Sequence, residues 1–105
     1  MKTADKHLQE LLATSPEAML EHAKLFAELP LTTQLAIMRR RRNLSQRALA
    51  KKLKVPQPHV ARTENVGHDP RISSIMKAAK AVRCHVVLIP NEELKRIAAT
   101  LLNLA

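Results

Sequence analysis

A chain of 105 residues with 46% hydrophobic content but one aromatic residue, Phe26, has material for a single core, which must be assembled from Leu, Ile, Val, Met and Ala and so favours packed helices. A net charge of +9, from 18 basic and 9 acidic residues, points away from basic partners and toward polyanions that carry phosphate. The lone Cys84 excludes an internal disulfide and reads as a small apolar residue; with neither a signal-like start at Met1 nor an apolar run near the ~18 residues of a membrane span, a soluble, cytoplasmic protein with no membrane role is expected.

In chain order, Leu8, Leu11 and Leu12 suggest a short helix from about Lys6 to Ala13. Ser15-Pro16-Glu17 then combines an N-cap hydroxyl, a proline at the first helical position and a carboxylate beside the positive helix end. The helix it starts should run to Leu29 and stop before Pro30. Its apolar residues, including Met19, Leu20, Leu25 and Phe26, are too many for one narrow stripe, so part of this surface should face a second element. Thr32 or Thr33 can cap the next helix, which turns Leu35 and Met38 inward and ends in Arg39, Arg40, Arg41 and Arg42. Consecutive helical residues point in different directions, so only about two of these arginines can reach a single phosphate-bearing surface.

No acidic residue occurs between Glu28 and Glu64, whereas Arg39 to Arg42, Arg47, Lys51, Lys52, Lys54 and Arg62 carry the whole excess of positive charge. Within this basic stretch, Leu49, Ala50 and Leu53 recur at helical spacing; Val55 and Pro56 interrupt, and Val60 opens a second apolar stripe. Two short helices joined by a tight turn are predicted, the first capped by Ser45 and the second beginning near Pro56, where Pro56 and Pro58 remove no intrahelical donor. Ala50 is small enough to let the second helix cross close over the first.

The residues Leu44-Ser45-Gln46, Leu49-Ala50, Val55, Gln57, Val60 and Glu64-Asn65 resemble the helix-turn-helix of the lambda-repressor/Cro family, also called XRE-type, over about Thr32 to Val82. Two positions depart from the family pattern. Lys54 stands where the turn usually has Gly, at a cost of roughly 1 kcal/mol for left-handed backbone, and Thr63 replaces a larger apolar residue. The resemblance implies an all-α protein: a five-helix lambda-repressor-like domain with added N-terminal and C-terminal helices. It also implies that Gln46 touches a phosphate and braces Gln57, and that Gln57 makes a bidentate contact to an adenine edge in the major groove. Pro58 would meet a thymine methyl or a sugar, while His59, Arg62 and Asn65 would face the groove or its rim. Arg39, Arg40 and Arg47 complete the DNA-facing set, and Lys51, Lys52 and Lys54 would serve the phosphate backbone.

Beyond the motif, Val66 to Pro70 reads as a loop and Arg71 to Val82 as an amphipathic helix carrying Ile72, Ile75, Met76, Ala79 and Val82. Cys84-His85-Val86-Val87-Leu88-Ile89-Pro90 is a β-branched apolar run, read as one short β-strand at about residues 85–89. A lone strand leaves its backbone groups unpaired, and the simplest partner is its own copy in a twofold homodimer, through Val86, Val87, Leu88 and Ile89. In this respect the chain resembles HipB-like antitoxins, in which an XRE-type domain is followed by a dimerising strand. Asn91-Glu92-Glu93 should cap a last helix bearing Leu94, Ile97, Ala98, Leu101 and Leu102. The expected organisation is an N-terminal helical extension (1–30), a DNA-binding domain (31–83) and a dimerising strand with a C-terminal helix (84–105).

The five histidines, His7, His22, His59, His68 and His85, fall on different predicted elements without metal-ligand spacing, and a single glycine cannot build a phosphate-cradling loop. No enzyme activity, metal or cofactor is expected. The expected function is a sequence-specific repressor that binds a palindromic double-stranded operator. Its most natural setting is an antitoxin that autoregulates its operon and holds a toxin, such as a HipA-like kinase. The alternative is a stand-alone repressor of phage type, in which the first thirty residues merely extend the core.

Overall fold

The computed structural model describes Lys6 and residues 15–97, which fall into two compact units. The unit Leu29–Val87 contains four helices: α2 (Leu31–Arg41), α3 (Gln46–Leu53), α4 (Gln57–Thr63) and α5 (Ile72–Ala81). Helix α1 (Pro16–Glu28) and residues 88–97, which include a 3-10 turn at Asn91–Glu93, belong to the other unit. The architecture of the described residues is all-helical, as expected from the aliphatic, aromatic-poor composition.

Within the larger unit, α3 packs on α4, and α5 packs on both α3 and α2. The core has two adjoining parts. Leu35 of α2 meets Ile75, Ala78 and Ala79 of α5, and Leu49 and Ala50 of α3 meet Val60 and Val82. Cys84 packs against both parts, which agrees with its reading as a small apolar residue rather than a chemical group. Ala50 is buried where α3 and α4 cross, so a larger side chain there would push the motif helices apart.

Three helices end in the same way. Asn43, Lys54 and Arg83 adopt left-handed backbone with φ of 57°, 58° and 58°, one or two residues beyond the ends of α2, α3 and α5. The following residues, Leu44, Val55 and Cys84, donate backbone hydrogen bonds back to Arg39, Ala50 and Ala79, which satisfies a late carbonyl of each helix. All three of these residues are also apolar groups packed on the core around Leu49 and Val60. Each stop therefore redirects the chain and seats a core side chain in one step. Gly would relieve the strain at Lys54, but the anchoring of Val55 holds the turn in place without it.

At the helix starts, Ser45 Oγ accepts from Ala48 N at 3.0 Å and Ser15 Oγ from Ala18 N at 3.2 Å, both as expected for N-cap serines. Helix α4 begins at Gln57 with Pro56 as its N-cap and Pro58 in its first turn. The threonine cap expected for α2 is not used. Helix α2 begins at Leu31 behind Pro30, and Thr32 is already inside the first turn, buried, with Oγ1 lacking a partner among the described residues. The Gln34 side chain instead donates to the Leu29 carbonyl at 2.9 Å and braces the approach to the helix.

The expected strand is corrected in the single chain: no β-strand occurs among the described residues, and 84–90 runs without regular secondary structure. The physical reason is the one that singled the segment out, since a ladder requires a neighbouring strand and this chain supplies none. The N-terminal helix expected at Lys6 to Ala13 lies outside the described residues except for Lys6, which is helical. Of the expected last helix, residues 94–97 are helical, and Ala98, Leu101 and Leu102 lie outside the described residues.

Candidate nucleic-acid interface

The close crossing of α3 and α4 brings the first residues of the two helices together. Val60 is 2% exposed and clamps α4 onto Leu49 and Ala50, while the left-handed turn at Lys54 reverses the chain between the helices. Gln57 Nε2 donates to Gln46 Oε1 at 2.9 Å, so the brace implied by the family resemblance is present in the geometry. Gln46 Nε2 in turn donates to Glu64 Oε1 at 3.1 Å.

Glu64 caps the far end of α4 and is held by Arg39, whose Nε reaches Oε2 at 2.7 Å and whose Nη2 reaches Oε1 at 3.1 Å. Their side chains are 8% and 6% exposed for Arg39 and Glu64, and Arg39 Nη1 donates to the Leu44 carbonyl at 2.7 Å. Arg39 was expected on the DNA face; the structure places it inside instead. Its guanidinium puts three of its five N–H donors into a bidentate ion pair and a backbone carbonyl, and its enclosure keeps it off the surface where phosphate would lie. Arg42 is occupied as well, donating to the carbonyls of Val82 at 2.9 Å and Arg83 at 3.2 Å. Of the four consecutive arginines only Arg39 is buried; Arg40, Arg41 and Arg42 are exposed, and Arg42 is the one of these three tied to backbone carbonyls.

On α4, Val60 and Thr63 point inward, and Thr63 Oγ1 donates to the His59 carbonyl at 2.9 Å. That bond satisfies the buried hydroxyl, so Thr is tolerated where a larger apolar residue is usual. The opposite face carries Gln57, Pro58, Ala61 and Arg62 at one-turn spacing, with Pro58 and Arg62 exposed. His59 falls on the flank: it is half-buried and lines a groove with Leu53, Val55, Ser74 and Lys77, apart from the Gln57 face. Asn65 is exposed but its Oδ1 accepts from the Gly67 N–H at 2.9 Å, which ties it into the loop that follows.

Around this face, Arg40, Arg41, Arg47, Lys51, Lys52, Lys54 and Arg62 are all exposed. Glu64, the first acid after Glu28, is neutralised internally by Arg39, so no carboxylate between α2 and α4 opposes these cations. Such a surface attracts polyanions within about a Debye length, so its pull weakens as salt rises. Sequence reasoning did not single out Ala61, the small residue on the Gln57 face of α4, nor the role of Glu64. The available signal for Glu64 was its position, a solitary acid ending the recognition helix within an otherwise basic stretch.

Among the described residues no helix is long and apolar enough to cross a membrane, and no group of three His, Cys, Asp or Glu side chains could hold a metal ion. Comparison with curated proteins and with solved structures returns no match. A family model described as a helix-turn-helix domain matches residues 30–91, a span that includes α2 to α5 and the Gln46–Gln57 pair, and to which the XRE-type resemblance conforms. With well over half of its length in that match, the chain belongs to the helix-turn-helix domain family and carries a DNA-binding helix-turn-helix fold.

Proposed function

We propose that this protein is a sequence-specific transcriptional repressor that binds a palindromic operator as a homodimer and acts as the antitoxin of a toxin–antitoxin pair. The observation that carries the DNA-reading part is the Gln57 amide, held by Gln46 at the leading end of α4 on a face free of acidic side chains. A glutamine amide offers one donor and one acceptor in a plane, which complements the N6 donor and N7 acceptor of adenine. Arg40, Arg47 and Arg62 flank it as phosphate or rim contacts, and Pro58 packs on the groove wall. Gln57→Ala is expected to cost about 1–3 kcal/mol on the operator while leaving affinity for scrambled duplex nearly unchanged. Competition binding between the two duplexes measures this; equal loss on both would make Gln57 a backbone contact and move base readout to Arg62.

Residues 31–83 serve as the DNA-binding domain in this reading, and 84–105 as the dimerising part. Val87 and Leu88 are adjacent apolar residues, 66% and 99% exposed, in a segment without regular secondary structure or a ladder partner. Antiparallel pairing of Val86 to Ile89 with a second copy would satisfy those backbone groups and cover both side chains. Val87→Pro removes a ladder donor and is expected to convert the dimer to monomer in light scattering with helical circular dichroism retained. An unchanged dimer would place the contact elsewhere.

The antitoxin role rests on the resemblance to HipB-like proteins and on the apolar excess of α1, where Leu25 remains 58% exposed. A toxin, such as a HipA-like kinase, is the partner proposed for that surface. Copurification with a protein encoded by the neighbouring gene tests it, and a chain that represses alone with no such partner is a stand-alone repressor of phage type.

A further inference from the structure

The base-reading amide at one end of α4 is connected to a carboxylate at the other end through a side chain of α3. Glu64 follows the last turn of α4, Gln46 opens α3 and Gln57 opens α4. The hydrogen bonds run from Gln57 Nε2 to Gln46 Oε1 and from Gln46 Nε2 to Glu64 Oε1. We propose that Glu64 is the positioning residue that fixes the polarity of the Gln57 amide and thereby makes it a reader of adenine rather than guanine. This rests on Gln57 being the base-reading residue.

The argument is one of donors and acceptors. A carboxylate paired with a guanidinium has only acceptor sites to offer. Arg39 occupies both of its oxygens in a bidentate pair, which prevents the group from rotating away. Gln46 must therefore turn its NH2 toward Glu64, and its carbonyl oxygen must face the other way. Gln57 can meet that oxygen only with its own NH2. One Nε2 hydrogen of Gln57 is thus consumed, and the second hydrogen together with Oε1 is left for a base edge in a fixed order.

Without the carboxylate, the two amides can bond to each other in either direction, because an amide flip exchanges their donor and acceptor. The readout face of Gln57 then samples both orders, and the preference for one base declines. The arrangement is compact: Arg39 is anchored on the Leu44 carbonyl, so the pair that orients the amide also holds the start of α3 against α2.

The test measures a ratio. Duplexes are first enriched from a random-sequence pool by the wild-type protein, and the A·T pair at which Gln57→Ala loses its preference is identified. Affinities are then compared for that duplex and for the same duplex with G·C at that pair. Glu64→Gln, which keeps the shape but can donate as well as accept, is expected to lower the A/G discrimination about fivefold or more while leaving scrambled-duplex affinity unchanged. A purely structural role would lower the folded fraction and weaken both duplexes equally, so the ratio would not move.

Should Glu64→Gln fail to fold, the double change Arg39→Met with Glu64→Met removes both buried charges together and leaves no unpaired ion. Its ratio is expected to fall as well. A wild-type ratio in these variants, with a reduced ratio for Gln57→Ala, overturns the positioning role and leaves the Gln57 readout standing. If Gln57→Ala keeps every base preference, the readout itself falls and the positioning role with it.

Discussion

Arg39→Ala is expected to lower stability by about 3–5 kcal/mol, because it leaves the Glu64 carboxylate buried without its partner. The pair is almost fully enclosed, and Arg39 also holds the Leu44 carbonyl, so one truncation opens three hydrogen bonds that join α2, the α2–α3 loop and the end of α4. Small domains have roughly 5–15 kcal/mol in total, so such a loss would move the midpoint of thermal unfolding by ten degrees or more, as an order-of-magnitude estimate. Far-ultraviolet circular dichroism during heating measures it. Arg40→Ala is the control: its side chain is exposed, and the midpoint should hardly change. Arg39→Met combined with Glu64→Met should recover most of the loss, since replacing a buried pair by apolar groups of similar volume is often close to neutral. Equal midpoints for Arg39→Ala and wild type would mean that the pair contributes no more than a surface ion pair.

The motif helices were legible because each depends on local chemistry. Ser45 caps α3, Leu49 and Ala50 repeat at helical spacing, and Pro56 with Pro58 admits only the opening of a helix. The left-handed turn at Lys54 was also foreseeable, since the family resemblance marks that position as one that Gly usually fills. Similar turns at Asn43 and Arg83 went unread: Asn is a frequent left-handed residue at helix ends and was an available signal, whereas nothing in an isolated Arg declares positive φ and the cause there is the seating of Cys84 on the core.

The residues that sit elsewhere than expected share a physical origin. Thr32 has the side chain of a cap, but Pro30 takes the N-cap position two residues earlier and Thr32 is carried into the helix. Arg39 belongs to a run of four identical residues, and only the angle of α2 against α4 decides which of them turns inward. His59 is polar and sits in the recognition helix, yet its position on the wheel sends it to the groove beside Lys77 rather than to the Gln57 face. Periodicity locates an element and its apolar stripe; it does not say which polar residue beside the stripe will be enclosed.

Binding to duplex DNA of arbitrary sequence is expected to fall steeply with salt. Each neutralised phosphate contributes about −0.9 to the slope of log affinity against log salt, so six contacts would cost about a thousandfold between 50 and 200 mM. The candidates are the exposed Arg40, Arg41, Arg47, Lys51, Lys52, Lys54 and Arg62, with no carboxylate among them to compete with phosphate. Replacing Arg40 and Arg41 together by Ala should reduce the slope by about 1.8 and weaken specific and scrambled duplexes alike, since phosphate contacts carry no base information. The paired change Arg39→Met with Glu64→Met should leave the slope at its wild-type value, because Arg39 is enclosed and its charge is already balanced. Fluorescence anisotropy on a labelled scrambled duplex over a salt series measures all three proteins. A flat response in the wild type would remove the basic surface from DNA binding. A slope reduced by the Arg39 and Glu64 change instead of by the Arg40 and Arg41 change would mean that the pair opens on DNA and that Arg39 reaches phosphate after all.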